Sequence, residues 1–247
     1  MFKLGILICD HLHPDLQPDH QDYPRMIDNL FKPFKNNIDL DYYFVIDGKF
    51  PNSIYDCDAY MTSGSKSSVN DRARWIERLE EFVRELYQAK IPFVGICFGH
   101  QLIAKALGGK VEKSDNGWGV GVHTSKIAEA KNWMTEAPKS IGLVVSHQDQ
   151  ISELPKETKV LATNDFCPFS MIQVGESFIG IQGHPEFSRV YSADLMELRK
   201  NIIPEEIRKV GRNSLEIKTN SVDVARWIIN FIQEVFARNK TLSTGNK

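Results

Sequence analysis

The sequence predicts an α/β protein: a mostly parallel open sheet flanked by helices on both faces, with a small antiparallel extension. Three observations lead there. Four apolar runs in the first hundred residues, "KLGILICD" (3–10), "LDYYFVID" (40–47), "AYMTSG" (59–64) and "PFVGICF" (92–98), end in polar or glycine residues, as buried strands do. Between the third and fourth lies a helical pattern, and strand–helix–strand is a βαβ unit whose strands run parallel. After Gly109 the pattern shifts to short β-like segments and a hairpin, which supplies the antiparallel part.

Taken in order, the first three apolar runs need crossovers between them to lie parallel. In "DRARWIERLEEFVRELYQAK" (71–90), Trp75, Leu79, Phe82, Val83 and Leu86 recur at helical spacing with charges on the other face, and Asp71 is placed to cap the start. "IGLVVSHQD" (141–149) reads as another buried strand. "KVEKS", "HTSKIA" and "KVLATN" are short and β-like, and "FSMIQVGESFIGIQG" (169–183) reads as a hairpin turning near Gly175-Glu176. A polar, helical excursion occupies residues 188–220, and "SVDVARWIINFIQEVF" closes the domain as an amphipathic helix. One domain over 1–238 is expected, with 239–247 ("NKTLSTGNK") a disordered tail.

Composition narrows the function. The chain has 247 residues, 42% hydrophobic and 25% charged, with a formal net charge of −2, an ordinary globular balance. No basic stripe points to nucleic acid and no cationic cluster to lipid. The longest apolar runs, "LGILIC" and "WIINFI", are too short to span a bilayer, and six apolar or glycine residues after Lys3 are too few for a secretory signal, so a cytoplasmic location is expected. Cys9, Cys57, Cys97 and Cys167 form no C-x-x-C pair and are expected as free thiols.

One thiol is set apart by its neighbours. An isolated cysteine is usually a small buried hydrophobe. Cys97, however, ends a strand, precedes the helical stretch "HQLIAKALGG", and is flanked by Gly95 and Gly99 in a G-x-C-x-G pattern. That is the spacing of a nucleophile elbow, where small flanking residues relieve the crowding of a sharp turn. The start of the helix favours a thiolate, and the Phe98 N–H faces a developing oxyanion. A thiolate needs a base and an orienting group. "GIQGHPEF" (180–187) offers both: His184 and Glu186, two apart after an apolar strand, project to the same side of an extended chain.

"GICFGHQLIAKALGG" together with "GIQGHPEF" resembles the class I glutamine amidotransferase family, over roughly residues 40–187. The resemblance implies a flavodoxin-like fold and a triad of Cys97 as nucleophile, His184 as general base and acid, and Glu186 as orienting carboxylate. "SGSKSSV" (63–69) resembles the family's glycine-rich loop, which implies that Gly64 supplies the second oxyanion N–H beside Phe98. Here Ser63 and Ser65 surround a single glycine where the family often has two. Gln101 resembles a substrate-contacting residue, and "VSHQD" the segment that binds the glutamine amino and carboxylate groups. That implies substrate binding by Ser146, His147, Gln148 and Asp149, with Asp149 facing the α-ammonium. "GICFGHQ", "TSGS" and "NGWGVGVH" look most like the stand-alone branch that includes γ-glutamyl peptidases. Trp118 in the last stretch lines the pocket or packs beneath it.

The resemblance implies a hydrolase or transferase acting on glutamine or γ-glutamyl amides through a γ-glutamyl thioester on Cys97, with no cofactor. A glutaminase subunit delivering ammonia to a separate synthetase chain is the alternative. A non-catalytic binding or regulatory module is the third. The implied partner is a small-molecule substrate, with a synthetase chain added under the second reading. His11, His13 and His20 stand among Asp10, Asp15, Asp19 and Asp22 in "CDHLHPDLQPDHQD" (9–22), but two prolines and irregular spacing speak for a solvated loop rather than a metal site.

Overall fold

The computed structural model describes residues 1–244. Strand β1 (Phe2–Leu7) is followed by a short helix α1 (Gln17–His20) and by α2 (Tyr23–Phe31). Then come β2 (Ile38–Tyr43), β3 (Ala59–Thr62), α3 (Arg74–Gln88), β4 (Phe93–Ile96) and α4 (Phe98–Ala106). The antiparallel half adds β5 (Lys110–Lys113), β6 (Gly119–Ile127), β7 (Ser140–His147), β8 (Asp149–Glu153) and β9 (Thr158–Thr163). The hairpin β10 (Met171–Val174) and β11 (Phe178–Ile181) precedes α5 (Arg189–Leu198), α6 (Glu205–Ser214) and α7 (Ser221–Thr244).

The main sheet has the order β2-β1-β3-β4-β11-β10-β9-β6-β7, with β5 and β8 forming a separate pair. The first five strands in that order are parallel, β1 to β4 as the sequence predicts and β11, expected only as half of a hairpin, through its pairing with β4; β10, β9, β6 and β7 continue antiparallel. Side chains alternate between two cores. Leu4 and Ile6 of β1, with Val94 and Ile96 of β4, pack on the α2 and α7 side. Leu7 and Phe93 pack on the α3 and α4 side. Burial on both faces is why these strands read as continuous apolar runs.

Several local expectations shift. Asp71 does not cap α3: the N-cap is Ala73, and the Asp71 carboxylate instead accepts from the Ser68 N–H at 2.9 Å, closing a turn before the helix. On α3 Ile76 joins Leu79, Val83 and Leu86 in full burial, while Trp75 is half-buried and packs on Phe98. The 141–149 run is not one strand: β7 stops at His147, and Asp149 opens β8, which pairs with β5 instead. Helix α2, capped by Asp22 with Pro24 in its first turn, provides the β1–β2 crossover; its brief apolar pattern follows directly on the polar 9–22 loop, which masks it in the sequence. The stretch expected as a disordered tail from residue 239 continues α7 through Thr244, held by Asn239 donating to the Lys90 carbonyl at 3.2 Å; residues 245–247 lie outside the described residues. Among the described residues no helix is long and apolar enough to cross a membrane.

The β4–α4 joint leaves no room for side chains. A Cβ on Gly95 would lie 2.4 Å from the carbonyl carbon and oxygen of Gly99, and backbone cannot move aside. Gly95→Ala is therefore expected to lower stability by about 1–3 kcal/mol, read from the denaturant midpoint. An unchanged midpoint would contradict so close an approach.

Candidate active site

Four parallel neighbours, β1, β3, β4 and β11, end at one edge of the sheet and each releases a polar or reactive residue there: Asp10, Ser63-Gly64, Cys97 and Gln182-Gly183-His184. The carboxyl edge of such a sheet is where open α/β proteins hold their ligands.

Cys97 is the N-cap of α4 with φ 48° and ψ −93°, a backbone conformation that an L-residue rarely adopts. The cost, of order 1–3 kcal/mol, persists only where the surroundings enforce it. They do: the Cys97 N–H donates to the Ile181 carbonyl at 2.8 Å, and a Cβ on Gly99 would fall 1.8 Å from Thr62 Oγ1. That hydroxyl is itself committed, accepting from the Ile96 N–H at 3.2 Å. The turn leaves Cys97 only 4% exposed, yet on the wall of a cleft, with its sulfur accepting from Gln182 Nε2 at 3.4 Å.

His184 is 3% exposed and close enough to Cys97 for the two side chains to act on each other. On its other side Nδ1 meets Glu186 Oε1 at 2.7 Å. The carboxylate and imidazole come together across a turn at residues 185–186, not along an extended strand as the sequence spacing suggested. The ring stacks on Phe187, with centroids 3.9 Å apart and planes 3° apart, and the His184 N–H donates to the Val144 carbonyl at 2.7 Å, tying β7 to this end of the sheet. Burial alone would pull the imidazole's proton affinity down; the negative charge of Glu186, then that of Cys97, outweighs it and holds His184 well above the ordinary histidine value. Burial raises Cys9, Cys57 and Cys167, the last to about 12.

The loop after β3 lies against the imidazole: a Cβ on Gly64 would sit 2.5 Å from His184 Cε1, so only glycine fits. Ser63 answers for the missing second glycine of the loop. Its hydroxyl accepts from the Cys9 N–H at 2.9 Å and donates to the Gly64 carbonyl at 3.0 Å, fixing that peptide. Asp10, 4% exposed, accepts from the Lys66 N–H at 2.8 Å and from Lys66 Nζ at 2.7 Å, anchoring the rest of the loop.

Beside the sulfur opens a polar cleft of about 330 Å³. All five residues assigned to substrate from sequence, Gln101, Ser146, His147, Gln148 and Asp149, line it, as does Trp118. Several are also committed to structure. Gln101 Nε2 donates to the Asp149 carbonyl at 2.8 Å and to Gln182 Oε1 at 3.2 Å. His147 is 5% exposed, contacts the Asp149 carbonyl through Nδ1, and is pushed by burial down to about 3, so it stays neutral. Asp149 Oδ2 accepts from Ser68 Oγ at 2.6 Å. His100, next to the elbow, is fully buried against Gly180 and held neutral by burial, down to about 4.

Sequence reasoning missed Asp10, Lys66, Gln182 and Arg199. Gln182 stood inside a quoted motif two residues before His184, and Asp10 ended the first strand, so the strand-edge rule could have found both. Arg199, at the C-cap of α5, had no local signal; its Nη1 donates to Ser146 Oγ at 2.7 Å and its guanidinium lies 5.6 Å from the centre of the Trp118 ring. In the 9–22 loop His11 pairs with Asp22 and with the distant Asp47, and His20 with the distant Asp194, and among the described residues no cluster of metal-ligating side chains occurs.

The chain has relatives. A family model described as glutamine amidotransferase class-I matches residues 43–197, a span that includes the elbow, the cleft lining other than Arg199, and the His184 turn. Gamma-glutamyl peptidase 3 of Arabidopsis thaliana is 31% identical over 186 residues, 71% of this chain and 75% of that one. One subunit of the glutamine-hydrolysing GMP synthase of Archaeoglobus fulgidus is 37% identical over 123 residues, 48% of this chain and 65% of that one. A glutamine amidotransferase of Thermotoga maritima has the same fold, with a TM-score of 0.69 at 19% identity, covering 94% of this chain and 96% of that one. With the match extending over more than half its length and spanning Gly64, Cys97 and His184, the chain belongs to the class I glutamine amidotransferase family.

Proposed function

We propose that this protein is a hydrolase that cleaves γ-glutamyl amides through a thioester on Cys97. The observation that carries this reading is the buried line Cys97–His184–Glu186 at the wall of a polar cleft, with the imidazole Nδ1 on Glu186 Oε1 at 2.7 Å. In the proposed reaction the sulfur attacks the γ-carbonyl carbon, and the oxygen that becomes negative is held by the N–H groups of Gly64 and Phe98. The C–N bond breaks as His184 passes its proton to the departing nitrogen. Water then attacks the thioester, giving up a proton to His184, and sulfur leaves with the glutamate carboxylate formed. Glu186 keeps the imidazole oriented and stabilises its protonated form. Gln101 and the 146–149 segment hold the glutamyl α-groups, with Asp149 on the ammonium.

The likeness to one chain of a GMP synthase favours a second reading: a glutaminase handing ammonia to a separate synthetase chain. Turnover of γ-glutamyl peptides by the protein alone supports the first reading. Turnover of glutamine only when a synthetase is present supports the second.

Cys97→Ala is expected to abolish turnover with the fold intact, and intact-protein mass spectrometry of the unsubstituted chain should trap a γ-glutamyl adduct at residue 97. Iodoacetamide should label Cys97 before the three thiols that burial raises. Near-normal activity of the variant, or first labelling elsewhere, would remove Cys97 from the chemistry.

His184→Ala should slow kcat/KM by about 10²–10⁴-fold. Because His184 is raised in the folded protein, the proton needed by the leaving group is present through neutral pH and lost as pH climbs through its value. Glu186→Gln removes the charge that raises it, so the alkaline limb of the kcat/KM profile should move to lower pH, with a smaller loss of rate than His184→Ala. A limb that stays in place, or a larger loss, would deny Glu186 this part.

Asp149→Asn should raise KM for glutamine and for γ-glutamyl peptides alike by about tenfold or more, the value of a charge-assisted contact. An unchanged KM for both would take Asp149 out of the ammonium site.

A further inference from the structure

Beside the glutamyl cleft lies a second recess of about 690 Å³, and the two share Lys66, Trp118 and Arg199 at their junction. Its position relative to the chemistry follows from aromatic packing. Tyr23 and Tyr191 line the recess and pack on Phe187, with ring centroids at 6.2 and 4.5 Å, and Phe187 stacks on His184. The recess therefore sits on the flank of the cleft where the imidazole stands. The group that protonates a departing nitrogen must face it, so the amine half of a γ-glutamyl amide leaves on that flank.

The lining describes what that half looks like. Leu12, Pro14, Leu195, Leu198 and Ile202 make the recess largely apolar. Of the two cations at its mouth, Lys66 is already paired with buried Asp10. Arg199 holds a serine hydroxyl and a tryptophan face, and among the described residues no carboxylate pairs with it. A cation without a counter-ion beside an apolar recess suits an amine that carries both a carboxylate and an apolar body. Ammonia, about the size of a water molecule at ~30 Å³, uses neither.

Resting on the γ-glutamyl amide reading above, we propose that this recess is the leaving-group subsite and that the preferred substrates are γ-glutamyl peptides whose second residue is apolar, with that residue's carboxylate on Arg199 and its side chain in the recess. Residues 188–220, which supply Leu195, Leu198, Arg199 and Ile202, then determine specificity.

The test compares kcat/KM for glutamine, γ-glutamyl-leucine and γ-glutamyl-isoamylamide, which keeps the leucine side chain without its carboxylate. In the unsubstituted enzyme the order should be dipeptide, then alkylamide, then glutamine. Arg199→Met should reduce the ratio of dipeptide to alkylamide about tenfold or more, the low end for a charge-assisted contact. Ile202→Asp, at a position 60% exposed where folding is undisturbed, should reduce both relative to glutamine. If Arg199→Met slows all three by one factor, Arg199 serves the glutamyl half or the fold, and the subsite is overturned. Glutamine used as well as the dipeptide by the unsubstituted enzyme also overturns it, while leaving γ-glutamyl amide chemistry standing. No turnover of any of the three and no adduct on Cys97 overturns the underlying reading and the subsite with it.

Discussion

Everything at the carboxyl edge depends on one turn, the passage from β4 into α4 at Cys97. The chain reverses there through a backbone conformation unfavourable to a residue with a side chain. It is held by contacts from two neighbouring strands: a hydrogen bond from the Cys97 N–H to β11, and Thr62 of β3 occupying the space where a Gly99 side chain would go. The flanking glycines are consequences of that compression, because Gly95 and Gly99 touch backbone to backbone. Were the turn relaxed, the sulfur would be free to withdraw from the cleft wall where it now stands.

The compression is matched by an electrostatic arrangement that burial makes strong. His184 and Glu186 are both nearly inaccessible, and in that low-dielectric setting the carboxylate outweighs the tendency of burial to strip the imidazole of its proton. Neighbouring histidines show the contrast. His100 and His147, equally buried but without a carboxylate against the ring, are driven the other way and remain neutral. One residue type is thus neutral at two positions and charged at a third, and the nearest acidic group decides which.

Around this fixed centre the antiparallel half and the 188–220 excursion complete the walls of the cleft. Strand β7 is brought to His184 by a single backbone bridge, and that contact delivers Ser146–Asp149 to the cleft. Helix α6 lies against β6 so tightly that a Cβ on Gly121, at φ +81°, would strike the Gly211 carbonyl at 2.3 Å. This close seat holds the excursion in place and with it Arg199, so the amine side of the cleft is shaped by elements outside the parallel sheet.

What the sequence determined by itself was whatever a short window can carry. Apolar runs ending at polar residues marked the parallel strands, the Gly175-Glu176 turn marked the β10–β11 hairpin, and G-x-C-x-G and H-P-E marked where the chain must turn sharply or juxtapose an imidazole and a carboxylate. These patterns are legible because the steric and hydrogen-bonding demands behind them act over two to four residues. The tertiary structure alone decided that β11 lies beside β4, which brings Gln182 to a sulfur 85 residues away, and that Asp10 reaches Lys66 across 56. It alone placed Arg199 over Trp118 and against Ser146, and turned Asp71 from a helix cap into a turn closure. Such contacts depend on strand order and on how the excursion seats against the sheet, and no periodicity along the chain records either.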